Sequence, residues 1–367
     1  TTTSLGAITM DDGAVTASTS GNIRYSAVSS MTIGSITTSG DVSLQATTIT
    51  DSGTSDTDVS ADELRIVTTS NAAGAGVGTR NKHLQLGVTK LAASVAGTVD
   101  TTTTSPTYGS GGLFLTEATD ITIGALSDIK VNSILTTGLP DETQINDASL
   151  SDVVSAGHLV LVTTAGSITV NEGDADDGTL GVLVAGNMLL QSGGNASDIT
   201  LNADLRNSAG NISINAGRSL LQSADIATSA ANMTIDVVAA QAITMWQSGS
   251  NTVSITTNNS NILLQATGGD ITLETINAGS GSVSITATAG SVFDGDANGD
   301  IEVDIIADKL LLKAGQTLGW GENHLETTVT TLTANAESKN PAINAADTAD
   351  TNTLRTVNFT GVSVVEG

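Results

Sequence analysis

Along most of this chain, Ile, Val or Leu alternates with a small polar residue in short runs, and a Gly, Ser, Asn or Asp stands just before each run. "GNIRY" from Gly21, "GDVSL" from Gly40, "TDITI" from Thr119 and "GSITV" from Gly166 are early examples. "SDITL" from Ser197, "GNISI" from Gly210, "SNILL" from Ser260 and "GDITL" from Gly269 repeat the same phrase. The first apolar positions Ile262, Ile271, Val283, Val292, Ile301 and Leu310 fall roughly nine to twelve residues apart, a strand-plus-turn spacing. Each unit therefore predicts a short strand with one apolar and one Ser/Thr face. The residue before it supplies a tight turn, because Gly, Asn and Asp tolerate positive φ.

So small an apolar face cannot bury itself alone. Stacking coil on coil buries it continuously and pairs each backbone group with the coils above and below. The pattern predicts an all-β, right-handed parallel β-helix, with two units to a coil of roughly 20 residues and Asn, Asp and Ser stacking as polar ladders. At about 4.8 Å per coil, roughly 16 to 20 coils make a rod on the order of 80–90 Å long. The rival is a string of β-sandwiches, which wants aromatic cores and a series of Asn-Gly or Asp-Gly hairpins. Neither is present.

A longer period overlies the short one. "DVSLQA" from Asp41 matches "SVSITA" from Ser282, and "HLQLGVTKLAA" from His83 matches "HLETTVTTLTA" from His324, both at an offset of roughly 241 residues. Between them "ITD" at Ile49 aligns with "VFD" at Val292, and "ADELRI" at Ala61 with "ADKLLL" at Ala307. Residues 1–97 then read as the end of one module and 98–340 as a second. Residues 341–367 hold a linker and a terminal strand, the start of a further module or an assembly strand. This two-level texture, each module closing on His-Leu-x-x-x-Val-Thr-x-Leu-x-Ala, resembles the filamentous-haemagglutinin-like exoproteins and giant repeat adhesins of bacteria. The resemblance covers roughly residues 20–335. It implies an extracellular or cell-surface fibre segment with a structural or adhesive role, bound to host or neighbouring cells. The Asn-Pro motifs of a haemagglutinin-type secretion domain are absent, so the resemblance implies shaft rather than secretion head.

Composition narrows the options. Aromatics make up 2% of the 367 residues, and the 39% hydrophobic content is mostly aliphatic, which suits a narrow layered interior better than one broad core. A formal net charge of −26 repels nucleic acid and anionic lipid, so neither is an expected partner. Without cysteine there is no disulfide or thiol chemistry, and no stretch approaches the roughly 20 apolar residues of a membrane span. The opening "TTTSLGAITM" carries no signal features and reads as a processed product or an excised piece.

Candidate chemistry is sparse. In "DGDANGD", Asp294, Asp296, Asn298 and Asp300 fall at the first, third, fifth and seventh positions of an EF-hand-type loop, which makes calcium the one candidate ligand; no cofactor is otherwise required. The twelfth position is Ile305 where a bidentate Glu belongs, and the corresponding loop "DSGTSDTDV" from Asp51 lacks the spacing. An acidic turn between coils is the simpler reading. His83 and His324 lie in equivalent places of the two modules, too many coils apart to share a site, and read as turn residues. Polysaccharide-degrading β-helices are the enzymatic alternative. Glu302 and Asp304 would face outward together as their acids, but only Trp246 and Trp320 are available as sugar platforms and no basic cluster accompanies them. We therefore expect no enzyme. An ice-binding solenoid is a third class, and the varied outward residues spoil the flat Thr array it needs. At the C-terminal end Val357, Phe359, Val362 and Val364 alternate on a strand, which predicts end-to-end joining, by the covalent chain or by strand addition between copies.

Overall fold

The computed structural model describes residues 6–53, 57–104, 109–140, 144–173, 178–247, 253–295, 303–319, 324–336, 357–359 and 363–364. Among these the protein is all-β, with no helix and no cis peptide bond. It divides into two compact units, Thr1–Gly193 and Gly194–Gly367.

In the second unit the chain winds in turns of three strands, each pairing in parallel with the strand three places later. Ile199–Leu201, Asp204–Asn207 and Ile212–Ala216 form one turn. They pair in order with Leu220–Gln222, Ile226–Ala231 and Ile235–Ala239. Those pair in turn with Ile243–Met245, Ser254–Asn258 and Ile262–Ala266. The same step carries on through Ile271–Leu273, Thr275–Asn277 and Ser282–Ala287. Two strands to a coil, as the sequence predicts, is thus corrected to three. Residues 21 positions apart face each other in the tightest turns, and larger insertions lengthen others to 29.

Register turns the repeated phrase into columns. Ile212, Ile235, Ile262, Val283, Leu310 and Leu332 stack in one buried column, and Ile214, Val237, Leu264, Ile285 and Leu312 in the next. A third buried column is Ala216, Ala239, Ala266, Ala287 and Ala314, each the last residue of its strand. The intervening Ser, Thr and Gln residues face outward and are half-buried or exposed.

The first unit is wound in the same way, from the Ile23–Ser26 and Val42–Ala46 pair through Gly112–Glu117 and His158–Thr163. Its longest strands, Val59–Thr68 and Leu84–Val95, have 10 and 12 residues, and the second unit has matching lengths at Ile305–Ala314 and Leu325–Ala336. One element departs from the coil. Ile129–Val131 and Ile145–Asp147 form an antiparallel hairpin that lies over the outer face of the early strands. Arg24, Ser43 and Arg65 are register neighbours on three successive strands. Arg24 Nε and Ser43 Oγ donate to Asp147 Oδ2 at 2.8 and 2.7 Å, and Arg65 Nε donates to the carbonyl of Ala148 at 3.0 Å. Asp147 is buried, so this clamp is charge-assisted and largely dry. Asp147→Ala is expected to raise tryptic cleavage at Lys130 by about tenfold or more, the equivalent of roughly 1.5 kcal/mol for such a bond, with little change in the melting temperature. Mass spectrometry of timed digests measures it, and unchanged cleavage would show that the clamp does not hold the hairpin.

Candidate functional site

The residue before each strand does more than turn the chain. Asp270 Oδ1 accepts the N–H of Ser291 at 2.7 Å, one turn of the coil further on. Asn261 does the same for Ser282, Asn211 for Thr234 and Asp225 for Ser254, and in the first unit Asn22 serves Asp41 and Asp120 serves Ser167. Each such side chain satisfies a backbone donor at a corner that the parallel ladder does not reach. The Asn or Asp of the repeated phrase is a rung between coils.

Two of these rungs stand in groups of acids. In the first unit Asp51 closes the strand Ile49–Asp51, and its Oδ1 accepts the N–H of Gly53 at 2.6 Å. Asp58 donates its backbone N–H to the carbonyl of Gln85 at 2.8 Å and accepts the N–H of Gln85 on Oδ2 at 2.6 Å. Lys82 Nζ donates to the carbonyl of Asp51 at 3.0 Å and lies 3.6 Å from its Oδ2. Burial pushes the Asp58 carboxyl up to about 8; a side-chain hydrogen bond with Asp51 adds to this, while the N–H of Gln85 opposes it. At neutral pH the Asp58 carboxyl therefore keeps its proton, in hydrogen-bonding contact with Asp51. A cavity of about 290 Å³, lined by Asp12, Ser35, Thr37, Asp51, Thr57 and Asp58 among others, opens beside the pair.

In the second unit Asp294 closes the strand Val292–Asp294, and Asp304 and Glu326 meet it. One carboxylate oxygen from each lies within 4.8 Å of the other two. Asp304 donates its N–H to the carbonyl of Glu326 at 3.0 Å and accepts the N–H of Glu326 on Oδ2 at 2.8 Å. Asp294 and Asp304 are buried and Glu326 is half-buried. Such a set holds a hard cation or shares a proton.

Of the four residues in the predicted calcium loop, Asp294 alone is described; Asp296, Asn298 and Asp300 lie outside the described residues, as does Glu302. Asp304 is 2% exposed, so the reading that it faces outward is corrected. Asp294's partners Asp304 and Glu326 come from later along the chain, and the sequence signal for them is the long repeat, which sets Asp58 opposite Asp304 and Gln85 opposite Glu326. His83 Nδ1 is hydrogen-bonded to Thr116 Oγ1 at 2.9 Å, and the Phe114 ring stands between His83 and His158, 6.0 and 6.1 Å from them. Burial holds both histidines below the ordinary imidazole value.

No protein-family model matches this chain, and no curated protein or solved structure matches it either.

Proposed function

We propose that this chain is a right-handed, rod-like β-helix that forms a shaft segment of a bacterial extracellular or cell-surface fibre protein. Its work is structural spacing and adhesion to host or neighbouring cells, carried by repetition. The observation that carries this reading is the register of the second unit. Three strands per turn repeat with apolar columns inside, and Asn or Asp rungs tie each turn to the next. Chemistry of this kind lengthens by adding turns, which is what a shaft requires.

End-to-end joining belongs to the same proposal. Val357–Phe359 and Ser363–Val364 pair in parallel with Leu325–Ala336, as another turn of the coil does. A strand from a further module or from a second copy meets the same ladder. The test is to express the chain with and without residues 356–367. Small-angle scattering is expected to give a rod for both, and electron microscopy end-to-end filaments for the intact chain alone. A compact globule would overturn the shaft reading, and monodisperse monomers in both cases would overturn assembly through this strand.

The Asp51–Asp58 pair beside its cavity favours a second reading, a polysaccharide-degrading β-helix with Asp58 as the acid. Release of reducing ends from acidic or neutral polysaccharides, abolished in Asp58→Asn, would establish it.

A further inference from the structure

The chain has no cysteine, so no disulfide can tie one turn of the coil to the next. The first unit holds another pair of side chains that can condense. Lys82 Nζ lies 3.6 Å from Asp51 Oδ2 and donates to the Asp51 carbonyl at 3.0 Å, which pins the nitrogen beside the carboxyl group. Lys82 is itself fixed, because its backbone exchanges hydrogen bonds of 2.7 and 3.0 Å with Thr79. The pairs Arg24–Asp147, Arg206–Asp204 and Arg218–Asp198 present a guanidinium, which stays charged and does not attack carbonyl carbon. Lysine becomes a nucleophile once it gives up a proton.

The electrophile is prepared as well. Asp51 Oδ1 accepts the N–H of Gly53 at 2.6 Å, a donor placed where negative charge would grow if the carboxyl carbon were attacked. The Asp58 carboxyl is in hydrogen-bonding contact with that of Asp51 and carries a proton at neutral pH. Both aspartates are buried, which keeps bulk water away from the carbon between them.

We propose that Lys82 and Asp51 join in an intramolecular isopeptide bond, with Asp58 as the proton carrier. The ammonium passes one proton to the Asp51 carboxylate and frees the lone pair of Nζ. Nζ attacks Cγ, and the charge that develops on Oδ1 meets the N–H of Gly53. A second proton leaves Nζ and, relayed by the Asp58 carboxyl, goes to the other oxygen, whose bond to Cγ breaks as water departs. One ammonium and one carboxylate become one amide and one water, Asp58 ends protonated, and no other reactant is needed. Condensation is unfavourable between free groups in water, and a fixed pair overcomes this through effective molarities on the order of 10⁵ M or more. The bond links residues 31 apart and staples the strand Ile49–Asp51 to the turn that leads into Leu84–Val95.

The test is the intact mass of the full chain, denatured after prolonged incubation near neutral pH, with peptide mapping of the digest. A mass one water below that of the sequence is expected, together with a branched peptide that holds Asp51 and Lys82. Lys82→Arg keeps the positive charge and should return the full mass, so it decides the matter whether or not Asp51→Ala folds. Asp58→Asn should form the bond at least tenfold more slowly and reach the same linked end state. A wild-type chain that keeps its full mass would overturn the bond. So would a lost water that persists in Lys82→Arg or maps elsewhere, to the Lys90–Glu63 pair at 2.9 Å or to a cyclised Asp-Gly step. Equal rates in wild type and Asp58→Asn would overturn the role given to Asp58.

Discussion

Gly112→Ala is expected to destabilise the first unit by about 3 kcal/mol or more, summing a strained backbone and a forced shift of its neighbour. Gly112 has φ +115, a conformation that residues with a Cβ rarely adopt. A Cβ built there would lie 2.1 Å from the carbonyl oxygen of His158 and 2.3 Å from its nitrogen. These are backbone atoms of the paired strand, so no rotamer change relieves the overlap. Gly76, its register partner on the other side, has φ +150, and a Cβ there would lie 2.0 Å from the Gly112 oxygen. At both glycines the neighbouring backbone stands where a Cβ would be. Gly138→Ala is the control, because Gly138 also has positive φ (+81) but meets nothing within 4 Å. Its cost should stay near 1 kcal/mol. Denaturant midpoints of the three proteins decide the matter, and a Gly112→Ala variant as stable as the control would show that the close approach is absent.

Sequence pattern reveals this fold where strands alternate and hides it where they do not. Ile271–Leu273 and Ser282–Ala287 carry two or more inward apolar residues, so period two is visible. In several turns one strand carries a single inward aliphatic side chain. Ile36 is the one in Ser35–Thr37, Leu205 in Asp204–Asn207 and Ile276 in Thr275–Asn277. One apolar residue has no period, which is why the sequence yields two strands per coil and the structure three. The rungs are legible, since Asn and Asp recur at one phrase position, and their acceptor role follows from ladder geometry. The acidic corner is not legible from local spacing. An EF-hand template looks along the chain from Asp294, whereas the oxygens that meet it arrive through the parallel ladder from Asp304 and Glu326. In a coiled chain, neighbours in space are roughly one turn apart in sequence, and only the long repeat points to them.

Stability of the protein is expected to fall as pH rises from about 4 to about 8, a trend to which Asp58 contributes most. Its carboxyl sits at about 8 in the folded chain against 3.8 ordinarily, so between these values the folded form binds a proton that the unfolded form has released. Folding is then favoured on the acid side of the window and loses up to about 1.4 kcal/mol per pH unit on crossing it. Above pH 8 both forms are ionised and this contribution is flat. Burial also raises Glu117, Asp41 and Asp236, which tilts the curve the same way. Asp198 runs opposite, because the Arg218 hydrogen bond lowers it, and its contribution is lost only as pH falls through the acid range. Asp58→Asn keeps an oxygen for the N–H of Gln85 and an N–H for Asp51, without an ionisable proton. The variant should therefore match wild type near pH 5 and exceed it by roughly 4 kcal/mol at pH 8.5, the same slope taken over the three units from pH 5 to 8 and an unusual gain from removing a buried acid. Chemical denaturation across pH 4–9 measures both curves. Parallel curves for wild type and variant would mean that Asp58 is ionised throughout and that its proton is not shared with Asp51.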